Sequence, residues 1–143
     1  MRWINYGDYG MDLYSNAIIF SKKFVKENPK AVAGFLRALN KAIVDSIKDP
    51  KASVEAVLKR EPLIKMDVEL ERFDATIRDE MNHPEIATIG LGDADDARLK
   101  KSIDILVDAN QLPRTPAVSE IFTREFLPPK ADRPTKLIDV KTN

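Results

Sequence analysis

Leu13-Tyr14-Ser15-Asn16-Ala17-Ile18-Ile19-Phe20-Ser21 is the stretch on which the fold turns. Ala17, Ile18, Ile19 and Phe20 form a short continuous apolar run, the pattern of a strand buried on both faces. Ahead of it, residues 1–12 are polar and aromatic, carry Gly7 and Gly10, and read as a loop or extended lead-in. Behind it, Ser21 is placed to cap a short helical turn through Lys22 to Glu27.

Downstream the period changes to that of helices. Asn28-Pro29 is a start signal, with Asn as N-cap and Pro at the first helical position. Val32, Phe35, Leu36, Leu39, Ile43 and Ile47 then recur on one face. Asp49-Pro50 ends that helix and opens a second, with Val54, Val57 and Leu58 inward, until Glu61-Pro62. Asp67 is expected to cap a third helix whose buried stripe is Leu70, Phe73, Ile77 and Met81. Residues 84–94, with Gly90 and Gly92, read as a loop. Asp93 or Asp95 caps a fourth helix carrying Leu99, Ile103, Leu106 and Val107, and Asn110 is its C-cap residue. A short helix is expected from Pro116 to about Phe126, and an extended, Pro- and charge-rich tail from Pro128. A strand buried on both faces needs neighbours on each side, and this chain scarcely supplies them. Either partner strands lie in sequence upstream, or the chain is a helical bundle with one stray extended segment.

Composition narrows the function classes. The 143 residues carry 23 Lys+Arg against 23 Asp+Glu, so a zero net charge gives no general electrostatic footprint for nucleic acid or an anionic membrane. There is no Cys, which removes disulfides and thiolate metal sites. The first residues have neither the apolar core nor the small-residue cleavage site of a signal peptide. No run approaches the roughly 20 apolar residues that span a bilayer.

Four segments, in this order and spacing, carry a family resemblance: Asp8 to Ser21; Lys23-Phe24-Val25-Lys26-Glu27-Asn28-Pro29 with the stripe through Ile43 and the Asp49-Pro50 break; Ile103 to Leu112; and Ile121 to Pro128. Together they resemble the C-terminal portion of the ABC-importer substrate-binding proteins related to thiamine-pyrimidine-precursor binding, a family that includes nitrate, sulfonate and riboflavin importer components. The resemblance covers roughly residues 8–128. It implies an α/β, helix-rich fold: part of a type II periplasmic-binding-protein lobe, with one or two strands and four to five helices. Residues 1–127 would be the C-terminal part of that fold, crossover strand plus outer helices, and 128–143 a tail. It further implies that the first half of the fold precedes this stretch, making Met1 an internal methionine. The partners implied are a small-molecule ligand and an ABC permease, with an extracytoplasmic or periplasmic location. Surfaces exposed by truncation would favour a homodimer. The alternative is a self-associating helical interaction module that binds no small ligand.

The candidate ligand-binding residues are Tyr14, Ser15 and Asn16, with Asp12 and Tyr9 behind them. A Tyr ring can stack on a flat ligand, while Ser and Asn orient polar groups in a mostly apolar pocket. The competing account makes Tyr14 core, Ser15 and Asn16 turn residues, and Asp8, Tyr9 and Asp12 a solvated loop. The family position of the crossover beside the cleft favours ligand contact. No catalytic residue, metal site or cofactor is expected. His83 stands alone before Pro84 at a helix end. Asp93, Asp95 and Asp96 lack the Asp ladder and terminal Glu of a calcium loop, and helix capping accounts for them. Gly90-Leu91-Gly92 is too short for a phosphate-binding loop.

Overall fold

Capping chemistry sets most of the helix boundaries. The Ser21 hydroxyl accepts from Phe24 N at 3.1 Å and opens α1, Lys22–Glu27. Asn28 closes α1 through its backbone N–H, and Pro29 at the first position starts α2, Pro29–Lys48. The Asn28 side chain makes no cap bond, contrary to the sequence expectation, because the residue already serves as the C-cap of α1. Asp49 does both jobs at the next junction: its N–H ends α2 on Asp45 O, and Oδ1 accepts from Ala52 N at 3.0 Å to open α3, Pro50–Leu58.

The computed structural model describes residues 4, 6–14 and 16–137. Beyond α3, helix α4 spans Met66–Ala75 and begins at Lys65, not at Asp67. Asp67 and Glu69 sit in its first turn, where carboxylates favour the positive end of the helix dipole. The helix then widens into a π-helical turn, Thr76–Met81, closed by Asn82 N on Ile77 O at 3.0 Å. The expected loop at 84–94 contains a short helix, α5, Ile86–Ile89. Gly90 and Gly92 follow at φ +78° and +85°, a backbone region that Gly enters without steric penalty. Asp95 caps α6, Asp96–Ala109, by accepting from Arg98 N at 2.8 Å. Asn110 ends α6 as expected: its backbone N–H and its Nδ2 both reach Leu106 O. The expected 116–126 helix shortens to α7, Val118–Ile121, because Phe122 turns extended and carries Arg124 back toward α6.

The largest correction concerns the deciding stretch. Among the described residues there is no β-strand, and residues 16–20 carry no regular secondary structure. Ile18 and Ile19 are 52% and 87% exposed, not buried on both faces. The described residues offer no neighbouring strand, and without a ladder partner an apolar run cannot become a sheet strand. Phe20 anchors the end of the segment, stacked on Phe24 at 6.2 Å and edge-on to Phe35 at 5.6 Å.

The core gathers Ile77, Ile86, Leu91 and Leu137, with Ile43, Ile47, Phe73 and Met81 packed against it. Residues 128–137 of the expected extended tail pack against the core: Leu91 N donates to Pro134 O at 2.8 Å, and Pro128, Arg133 and Leu137 are buried. The rest of the apolar stripes are only partly used. Val32, Val54 and Ile103 are buried, whereas Phe35 and Leu106 stay about half exposed. The accessible surface is 11226 Å², against about 7,400 Å² for a compact chain of this mass. A large share of the apolar surface is thus left in solvent.

Candidate functional site

The residues of the lead-in meet the start of α6 in one charged cluster. Arg98 projects from the first turn of α6 toward Asp12–Tyr14. Its Nη2 donates to Asp12 Oδ1 at 2.6 Å, and its Nη1 to Glu85 Oε1 at 2.8 Å. Its guanidinium lies 4.2 Å from the centroid of the Tyr14 ring, a cation–π contact. The Tyr14 hydroxyl donates to Glu85 Oε1 at 2.5 Å and accepts from Asp95 N at 2.7 Å. Lys101 adds a bond to Gly10 O at 3.1 Å. Arg98 and Glu85 are largely buried, and the bonds from the lead-in span 71 to 91 residues of sequence, so the cluster ties it to the far half of the chain.

Electrostatics follows from that geometry. Burial, together with donation to the Glu85 carboxylate, pushes the Tyr14 phenol up to about 12, partly offset by the Asp95 N–H and by Arg98. Tyr14 is therefore a neutral donor at physiological pH. His83 sits beside the cluster. Its Nδ1 accepts from Glu85 N at 3.3 Å, and its Nε2 lies 3.5 Å from Asp12 Oδ2. His83 thus packs beside this charged cluster as well as at a helix end.

Of the residues singled out in sequence, Tyr14 and Asp12 are brought together. Tyr9 is 73% exposed, and Asn16 is exposed in the irregular segment before α1. Ser15 lies outside the described residues. Arg98 occupies one face of the Tyr14 ring, so a stacked ligand would use the opposite face. Sequence reasoning missed Glu85 and Arg98. A charged residue one turn into an amphipathic helix normally faces water, and nothing local marked these two as partners for a residue more than seventy positions away.

A second cluster lies just ahead of the same N-terminal end of α6. Asp93 accepts from Arg124 Nε at 2.6 Å and from Arg133 Nη2 at 3.3 Å, while Arg124 also binds Asp96 at 2.7 Å and the carbonyl of Ala94. The acidic trio is consumed by one helix cap and two arginines. Among the described residues no group of His and carboxylates could hold a metal ion. No described helix is long and apolar enough to cross a membrane.

Residues 1–53 match the family model described as NMT1/THI5 like, a family of ABC substrate-binding proteins. The matched part holds Tyr9, Asp12, Tyr14 and Asn16 with α1 and α2; Glu85, Asp95 and Arg98 lie beyond it. No curated protein and no solved structure matches the chain.

Proposed function

We propose that this chain serves as the solute-binding component, or part of one, of an ABC importer that captures a small nitrogen- or sulfur-containing ligand. A pyrimidine, a flavin or a sulfonate would fit that class, with delivery to a membrane permease and an extracytoplasmic location. The observation that carries the proposal is the match of residues 1–53 to a family of ABC substrate-binding proteins. No covalent step is required: Tyr14 would stack through the ring face away from Arg98, and Ser15 and Asn16 would supply hydrogen bonds, with Asp12 and Tyr9 at the periphery. The Arg98–Glu85–Asp12 cluster supports this by fixing the Tyr14 ring before any ligand arrives. Titration calorimetry with an aminopyrimidine, riboflavin and an alkyl sulfonate tests the proposal. Saturable heat with one of them, reduced by Asn16→Ala, is expected. Silence toward all three, or binding indifferent to Asn16, sinks the assignment of these residues.

A second reading has its own observation. Ile18, Ile19, Phe24 and Phe35 leave an exposed apolar region, and the total accessible surface is about half as large again as that of a compact chain. These support a self-associating helical module. Light scattering over a concentration series discriminates: a monomer throughout removes this alternative.

A further inference from the structure

A groove of about 650 Å³ runs between the second half of α2 and the 128–136 segment. Its residues are separate from those of the Tyr14 cluster. Although the whole chain is neutral, this groove is not. Among the described residues, Arg37, Lys41 and Lys48 line it with Asp45 and Asp132. Lys41 and Lys48 share the single Asp45 carboxylate, at 3.3 and 3.5 Å, and both lysines are mostly in solvent. One carboxylate shared by two exposed lysines leaves a positive field over the groove.

Beneath that field lie two buried polar atoms without a partner: Asn40 Oδ1, an acceptor, and Arg133 Nε, a donor. Asn40 is 6% and Arg133 8% exposed, and both line the groove. The Asn40 amide is oriented by its Nδ2, which donates to Leu36 O at 3.0 Å, so the oxygen is the end left over. The Arg133 guanidinium is held only by long contacts, at 3.3–3.4 Å, to Asp93 and to the carbonyls of Gly90 and Leu91. Buried polar groups in native proteins are normally paired, and an unmade bond there is costly. A single ligand that satisfied both would offer an acceptor to the guanidinium and a donor to the amide oxygen, and the lysine rim favours one that carries negative charge.

We propose that this groove binds a small oxyanion that bears an O–H group near neutral pH, of the hydrogen phosphate class. An anionic oxygen would take the Arg133 Nε–H, drawing in a side chain that its present contacts hold loosely. The O–H would donate to Asn40 Oδ1, and the lysine rim would attract the anion and screen its charge. Phosphate and sulfate separate these roles. Both are tetrahedral oxyanions, but near pH 7 only phosphate retains an O–H.

The test is an amide chemical-shift titration of the whole chain with inorganic phosphate, sulfate and chloride at matched ionic strength. Saturable shifts at α2 and residues 128–136 are expected with phosphate, with sulfate weaker by roughly three- to tenfold. Asn40→Ala should equalise phosphate and sulfate. Lys41→Gln, at an exposed site that cannot unfold the protein, should weaken both by about two- to fivefold. Equal responses to phosphate and chloride, shifts elsewhere, or a phosphate preference that survives Asn40→Ala would overturn the proposal. So would sedimentation with phosphatidic acid vesicles in the absence of any response to inorganic phosphate.

Discussion

Replacing Tyr14 by Phe isolates one element of the charged cluster. The substitution keeps the ring under Arg98 and removes only the hydroxyl, with its bonds to Glu85 Oε1 at 2.5 Å and from Asp95 N at 2.7 Å. A hydrogen bond to a charged group contributes about 1.5–3 kcal/mol. Two facts pull the cost to the lower end. Glu85 Oε1 keeps Arg98 Nη1 at 2.8 Å, so no carboxylate is orphaned, and Asp95 is exposed, so water can take over its N–H. The expected loss is about 1.5 kcal/mol, or about 4–5 °C in Tm at this chain length. Urea denaturation followed by circular dichroism measures it. Trypsin cleavage at Lys22 and Lys23 should quicken in parallel, because the hydroxyl helps to tie down the lead-in that precedes them. A double-mutant cycle with Glu85→Gln should return a coupling of about 1 kcal/mol. A Tyr14→Phe loss below about 0.5 kcal/mol, or additive effects in the cycle, would refute the view that Glu85 and Tyr14 act as a unit.

Titration supplies a second check. The folded-state Tyr14 pKa is raised from 10 to about 12, so the stabilisation is intact below pH 10 and is lost as pH rises from 10 toward 12. The tyrosinate absorbance titration should show an ionisation near pH 12 that Tyr14→Phe abolishes. Asp95→Ala removes the side-chain cap on Arg98 N and should cost about 1 kcal/mol in the same denaturation assay; no change would mean that α6 starts without it. Leu137→Ala should cost about 2–3 kcal/mol because the side chain sits in the main core with Ile77, Ile86 and Leu91. A neutral result there would mean that the 128–137 segment is not packed in solution.

The helices were legible because their determinants are local. Ser21, Pro29, Asp49, Asp95 and Asn110 act on backbone groups within a few residues, so residue type and spacing were enough to place the ends of α1, α2 and α6 and the start of α3, which stops at Leu58 and not at Glu61-Pro62. The misplacements have local causes too. Asn28 was already committed to closing α1, and α7 stopped early where Phe122 turned extended to let Arg124 reach Asp93 and Asp96. The apolar run at 17–20 is a different matter. An apolar pattern states that a segment favours burial, but a strand exists only where another strand accepts its hydrogen bonds, and none of the described residues does so. The candidate site divides in the same way. Tyr14 and Asp12 could be named from their own stretch of chain, whereas Glu85 and Arg98 became their partners only when the turn before α5 and the first turn of α6 came to lie over the lead-in. Pairings between residues more than seventy positions apart depend on how the helices pack, and no local spacing in the sequence encodes them.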